Sequence, residues 1–450
     1  MVSCGAAHTN GGDGMKRSLW ENKNKLPQYA PLEQDLEADI LIVGGGMAGL
    51  LCADRLRREG ADCVLIEADR ILRGVTGNTT AKITSQHGFC YERLLREFGT
   101  EKARGYWQAN ELAIREYAHL AQTIDCDFQR VDNLIYATDS AEKARKEFKA
   151  LCKLGIPGEW EDAVPLPVKS AGAIRFRDQA QFDPLKFAAG LLPGLRIYER
   201  TPAREFIDTT VITDRGKIRA KKIIMATHFP ILNKHGGYFL KMYQQRSYVL
   251  ALENAGQVDG MYLGEGTAGL SFRQAGDLLL LGGGGHRTGK KGGGWKMLED
   301  AARRYYPEAR EKYRWAAQDC MTLDGVPYIG RYSAATENLY VATGFNKWGM
   351  TSSMVSAMLL ADLVSGRRNP YEEVFSPERS ILRPQLLRNL GESALHLLKP
   401  TVPRCPHLGC ALTWNPWERS WDCPCHGSRF SEEGTLLNDP ATGDLKNRKK

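Results

Sequence analysis

Between Ala38 and Asp69 the chain reads ADILIVGGGMAGLLCADRLRREGADCVLIEAD. An apolar run, Ile40 to Val43, gives way at once to glycines and then to a helical pattern that ends near Gly60. A second β-type run, Cys63 to Ile66, closes at Glu67. That order is a βαβ unit of about thirty residues. It commits this part of the chain to an α/β fold of the Rossmann kind.

Gly44-Gly45-Gly46-Met47-Ala48-Gly49 places the GxGxxG spacing where it has chemical meaning, after a strand and at the opening of a helix. Gly44 permits the tight turn, Gly46 lets backbone approach a pyrophosphate, and Gly49 allows close packing of helix on strand. The helix N-terminus, at Met47 and Ala48, offers free N–H groups and a positive dipole end to phosphates. Glu67 stands 18 residues past Gly49, where a carboxylate can accept hydrogen bonds from ribose hydroxyls. An acid there disfavours a 2′-phosphate, so FAD or NAD is expected rather than NADP.

At 450 residues the chain is long enough for two or three domains. The net charge of +8 comes from scattered Lys and Arg, apart from the terminal KNRKK. There is no basic stripe interleaved with aromatics, so no nucleic-acid partner is expected. No run approaches the roughly 18 apolar residues a membrane span needs. The opening MVSCGAAHTNGGDG lacks the apolar region of a signal peptide. Residues 1–35 therefore read as an extension, Cys4 not as a lipid-attachment site, Met15 as an alternative start, and the location as cytoplasmic. Further patterns suggest a helix over 92–125, short strands from 195 to 285, and a helix over Thr351–Val364. GGGGHRTGKKGGGW (282–295) lacks the fingerprint spacing and reads as a strand end and flexible loop near the substrate, with no helix after it. There His286 and Arg287 are expected in structural roles.

Four further stretches choose between the nucleotides: GVTGNTTAKITSQHG (74–88), KIIMATHFP (222–230), DGVPYIG (324–330) and LYVATGFNKWGMTSS (339–353). Together with the glycine loop they resemble the flavoprotein family of D-amino-acid oxidase and glycine oxidase, especially its amine-oxidising branch, over residues 36–380. The resemblance implies bound FAD, with FAD-binding segments at about 36–95, 195–235 and 320–380. An antiparallel-sheet substrate domain would occupy about 96–194 and 236–319. It also implies cofactor contacts at Gly77, Thr79, Thr80 and Ala81, at Ala203, Ala226 and Thr227, and at Gly344, Trp348, Gly349, Met350 and Thr351. A helix N-terminus at Met350 and Thr351 suits the negative charge of a reduced flavin.

Family members that oxidise amino acids clamp the carboxylate with an arginine five residues before the Asp-Gly of the DGxPxIG motif. Here Asp-Gly is Asp324-Gly325, and Asp319 holds the clamp position. An acid there attracts an ammonium group, so an amine substrate is expected. The alternative is an amino acid clamped by Arg273 or Arg287. The chemistry implied is hydride transfer from the C–N carbon to flavin N5, for which the protein must position and desolvate the C–H bond. Asp319, Lys347 and His87 are the candidate catalytic residues.

The tail poses a separate problem. CPHLGCALTWNPWERSWDCPCHGSRF (405–430) contains four of the eleven cysteines and two of the nine histidines. The seven other cysteines are dispersed and read as small buried hydrophobes. Cys405-x-His407 and Cys423-x-x-His426 pair one ligand of each kind per loop, where a zinc finger keeps its cysteines together. The full pattern resembles the Rieske electron carriers of cytochrome bc and b6f complexes. That resemblance implies a [2Fe–2S] cluster on Cys405, His407, Cys423 and His426, and a Cys410–Cys425 disulfide bracing the loops. Neutral histidines raise such a cluster to roughly −150 to +300 mV. Ser428 would donate a hydrogen bond to a cluster sulfur, and Phe430 in place of a tyrosine removes one donor, so the potential is expected below the top of that range. With 381–404 read as a linker, 405–450 is a small all-β domain lacking much of the Rieske β base.

A dehydrogenase follows from these parts: flavin carries two electrons, the cluster takes one at a time, and a one-electron carrier protein or a quinone receives them. The competing readings are a plain oxidase using O₂ with a degenerate, structural or zinc-binding tail, and a redox sensor or assembly protein without turnover.

Overall fold

The computed structural model describes residues 17–266, 269–400 and 403–445; Cys4, Met15 and the last five residues lie outside them. Three sheets organise the chain. The strand Leu36–Val43 sits at the middle of the first, with Cys63–Ile66 parallel on one side and Lys217–Met225 parallel on the other. Arg196–Tyr198 and Thr336–Thr343 extend the parallel array at its two ends, and Tyr328–Ser333 closes it antiparallel. Leu36–Val43 can occupy that place because Ile40 to Val43 are apolar on both faces. This is the usual signature of a parallel strand covered on both sides.

One face is covered by the helices Met47–Arg58 and Gly349–Val364, which pack on each other. Gly49 permits the first of these, since a Cβ there would lie 1.9 Å from the Gly44 carbonyl oxygen. Arg55, Arg57 and Arg58 in the last turn favour the negative end of that helix.

The second sheet has nine strands, mostly antiparallel, built around Met242–Glu253, Leu278–Arg287 and Arg310–Thr322. The long helix Tyr91–Leu120 backs the assembly through Ala103, Tyr106, Asn110, Ala113 and Tyr117, a helical stripe broken only upstream at Gly99. One expectation fails here. A helix, Gly294–Tyr305, does follow the glycine-rich stretch, with Trp295 and Leu298 buried. Gly292 and Gly293 before it, and Gly294 as its first residue, masked its start.

The third sheet is an antiparallel meander of Thr413–Asn415, Ser420–Asp422, Arg429–Ser431 and Leu436–Asn438. The stretch read as a linker contains the helix Pro384–Leu398. Among the described residues, no helix is long and apolar enough to cross a membrane.

Candidate functional site

A cavity of about 1480 Å³ is lined by both large sheets and by the tail. Single small-molecule sites hold roughly 300–1,000 Å³, so this one has room for a dinucleotide and a substrate together. Gly44, Gly46, Met47 and Ala48 form part of its wall, as do Thr79, Thr80, Ala203, Ala226 and Thr227. Trp348, Gly349 and Met350 form another part. Gly49, Gly77, Ala81, Gly344 and Thr351 are not in the wall. Gly44, at φ +114°, lies so close to the next strand that a Cβ would meet the Ala226 carbonyl oxygen at 2.5 Å.

FAD fits this wall. Two helices begin at it, at Met47 and Gly349, and the first N–H groups of a helix have no intrahelical acceptor. Glu67 lines the cavity, accepting hydrogen bonds from the Gly45 N–H at 2.7 Å and the Asp69 N–H at 3.0 Å. Burial raises its carboxyl pKa, and those N–H donors oppose the shift.

Asp319 faces the cavity from the strand Arg310–Thr322. Burial raises its pKa against the pull of Lys347 and Arg246. Lys347 also lines the cavity, open to the water within it yet deep inside the chain. That depth lowers its ammonium pKa, and the Asp319 and Glu265 carboxylates work against the shift. His87 also borders the cavity, but its ring is held on every polar atom. Its Nδ1 lies 2.6 Å from the Tyr106 hydroxyl, and its Nε2 lies 2.7 Å from the Thr84 carbonyl and 3.1 Å from the Thr351 hydroxyl. The ring stacks on Trp348 at 4.8 Å, and burial lowers its pKa to about 3. With both nitrogens engaged and the ring neutral, His87 suits orienting Trp348 and the adjoining helix start better than carrying a proton.

The two arginines considered as alternative clamps are both occupied. Arg273 donates to the Phe182 carbonyl at 2.7 Å, to Gln181 at 3.0 Å and to the Thr80 carbonyl. Arg287 donates to the Pro424 carbonyl at 3.0 Å, to the Cys425 carbonyl at 3.1 Å and to Asn389 at 2.9 Å.

In the tail, the His407 and His426 rings stand perpendicular with centroids 5.0 Å apart. The Nδ1 of each is buried without a hydrogen-bond partner. Burial lowers His407 to about 4 and His426 to about 3, which keeps both imidazoles in the neutral form a metal needs. The Cys405 thiol meets that of Cys423 and the Ser428 hydroxyl. Two orphaned imidazole nitrogens beside two thiols form the donor set of a Rieske cluster, so the residues fit that group. Sγ atoms of Cys410, Cys423 and Cys425 lie within 4.8 Å of one another. The Cys410–Cys425 bridge is not formed in the structure, where both are free thiols.

The tail also has a base, supplied by the second sheet. Gln244 donates to the His426 carbonyl at 3.0 Å and Gln318 to the Gly427 carbonyl at 2.9 Å. The approach is tight enough that a Cβ on Gly427 would meet Gln244 Cβ at 2.6 Å. Beneath it, the Glu418 side chain is fully buried between Arg246 and Arg429, with the Tyr248 hydroxyl donating to it at 3.0 Å. Burial works to raise the Glu418 carboxyl, and the two guanidiniums outweigh it, holding its pKa down to about 2. Sequence spacing carried no signal for this network, nor for Lys82, a cavity-lining ammonium whose burial lowers its pKa to about 7.

Comparison with known proteins agrees with both halves. The family model for FAD dependent oxidoreductases matches residues 39–363, and that for the Rieske [2Fe-2S] domain matches 396–449. YhfW of Bacillus subtilis (strain 168), which carries the name of a putative Rieske 2Fe-2S iron-sulfur protein, is 35% identical over an alignment 492 positions long, covering 95% of this chain and 97% of its own. Gamma-glutamylputrescine oxidoreductase of Escherichia coli (strain K12) is 24% identical, over 76% of this chain and 87% of its own. The crystal structure of glycine oxidase from Geobacillus kaustophilus superposes with a TM-score of 0.65 at 20% identity, covering 77% of this chain and all of that one. The chain belongs to the FAD-dependent oxidoreductases of the D-amino-acid oxidase family, with a C-terminal Rieske [2Fe–2S] domain.

Proposed function

We propose that this oxidoreductase oxidises the C–N bond of an amine-bearing substrate and that electrons leave through the tail rather than to O₂. When bound, FAD supplies a hydride acceptor, and the [2Fe–2S] cluster supplies a carrier that takes electrons singly. The observation that carries the electron route is the placement of His407. Its ring packs edge-on to Phe229 at 6.4 Å between centroids, and Thr227, two residues earlier, lines the cavity. Two residues span at most about 7 Å, so one phenyl ring and a short run of backbone separate the ligand from the cavity wall.

The amine reading rests on charge. Asp319 stands where an amino-acid oxidase of this family would hold its clamping arginine, and Arg273 and Arg287 are spent on backbone and side-chain oxygens. The name of the Escherichia coli relative, a gamma-glutamylputrescine oxidoreductase, points the same way. Asp319 would hold the substrate's nitrogen, and Lys347 would balance that carboxylate once substrate has excluded water.

Anaerobic mixing of the holoprotein with putrescine-like amines, and separately with glycine, alanine and proline, tests both parts. The expected result is bleaching of the flavin by amines first, followed by the EPR signal of a reduced cluster. Faster bleaching by the amino acids would overturn the substrate assignment. Bleaching without a cluster signal, with stoichiometric peroxide once air is admitted, would overturn the electron route.

A further inference from the structure

The helix Pro384–Leu398 is amphipathic, but it faces the wrong way for a helix of a globular core. Such helices turn their apolar stripe inward. Here the buried residues are polar: Asn389 and His396, seven positions apart. Asn389 accepts from Arg287 at 2.9 Å and from Gln385 at 3.1 Å, and Glu392 on the same side pairs with Lys290 at 2.6 Å. The leucines point outward. Leu387 is 73% exposed, Leu390 43%, Leu395 63%, Leu397 48% and Leu398 82%. Leu387, Leu390, Ala394 and Leu398 follow one another at the three- and four-residue spacing of a single helix face. Just upstream, Leu382 is 83% exposed. A patch of this kind marks an interaction site.

Charge selects the occupant. From Arg379 to Trp417 the chain has five Arg or Lys residues and a single carboxylate, Glu392; Glu392 pairs with Lys290, while Arg379 and Arg383 are paired with Asp324 and Glu97. Arg388, Lys399 and Arg404 are exposed beside the leucines. A second copy of the chain placed on this face would bring those cations against their own counterparts, and like charges across an interface are costly. An anionic lipid surface meets both requirements, accepting leucines into the acyl boundary and cations at the headgroups. We propose that Pro384–Leu398 is an in-plane docking helix for an anionic bilayer. The inference does not depend on the electron route argued above. It has a consequence for the tail, because the helix end is tied to the first cluster loop: the Ala411 N–H donates to the His396 carbonyl at 2.9 Å, and Arg404 donates to the carbonyls of Leu397 and Gly409 at 3.1 and 2.9 Å. Docking would hold the cluster loop near the membrane.

Co-sedimentation of the holoprotein with phosphatidylcholine vesicles, with and without phosphatidylglycerol, tests this directly. Partition onto the phosphatidylglycerol vesicles is expected, weakening as salt is raised. Leu387→Gln and Leu398→Gln should each weaken it at least about tenfold, and Arg388→Glu should weaken it on anionic vesicles specifically. All three side chains are exposed, so flavin and cluster spectra serve as the folding control. No partition at low salt would overturn the proposal, as would partition that is indifferent to phosphatidylglycerol or to the two leucines. So would a change of oligomeric state in the leucine variants without vesicle binding, which would assign the face to a second copy of the chain.

Discussion

Around the glycine loop, the strand Leu36–Val43 has a parallel partner on each side and is buried from Ile40 to Val43, with two helices packed over it. In the tail, four strands of three residues each enclose a core of four cysteines with Leu412, Phe430 and Ala441. The first region would stand on apolar burial with or without its cofactor. The second has little aliphatic surface to bury, and its principal core atoms are the sulfurs assigned to metal or to a bridge. What it lacks inside, it takes from outside: two glutamines and Arg287 hold its loop carbonyls, and Arg246 joins the tail's own Arg429 on Glu418. A redox group can thus be carried by a fold that exists first, or by loops that need both the group and a neighbour.

If that contrast is correct, Cys423→Ser should have the largest effect and a one-sided one. Iron and acid-labile sulfide should fall to background while flavin content stays at the parent level. Limited proteolysis should then cut within residues 405–445 and spare the rest. Loss of flavin in the same variant would show that the two regions are not separable.

Next in size is Glu418→Ala, which leaves Arg246 buried without its partner carboxylate and Arg429 with Asp422 alone. Breaking a buried pair in this way costs about 3–5 kcal/mol. The expected readout is a lower melting transition for the tail, again with flavin retained. The pH dependence has a definite sign. The folded carboxyl titrates near 2, below its ordinary 4.5, so the unfolded state binds the proton more readily. The stabilisation is complete above pH 4.5 and is lost as pH falls towards 2. The parent tail should loosen over that window, and the alanine variant should lose that part of the dependence.

The same contrast explains how much could be read in advance. The glycine loop was legible because its spacing follows from hard contacts: Gly49 must lack a Cβ for the helix to reach Gly44. The Rieske domain was legible because two short loops carry all four candidate ligands, Cys405, His407, Cys423 and His426. The docking of the tail was not. Gln244, Gln318 and Arg287 are ordinary polar residues of the second sheet, and their partners are backbone carbonyls more than 100 positions away. No local pattern encodes that, so a missing β base was anticipated where a borrowed one stands. The helix Gly294–Tyr305 was hidden by the glycines before it. The outward face of Pro384–Leu398 was invisible too, since leucine periodicity alone would turn it inward.

The smallest expected effect lies at Glu67 and sharpens the comparison from the other side. Its carboxylate accepts two backbone N–H groups, from Gly45 and Asp69, and lines the cavity, where the glycine-loop spacing leads one to expect the ribose hydroxyls of FAD. Glu67→Ala removes an ionised acceptor worth about 1.5–3 kcal/mol, or about tenfold to a hundredfold in FAD dissociation constant. The fold should survive, because the strand ending at Ile66 and the helix from Met47 are buried independently of this side chain. Glu67→Gln keeps one acceptor oxygen for the Gly45 N–H and should lose less. Fluorescence titration of the apoprotein with FAD measures both variants. Alanine is expected to be weakest, glutamine intermediate, and the iron content of the tail unchanged in each. Parent-like affinity in the alanine variant would remove Glu67 from the FAD site.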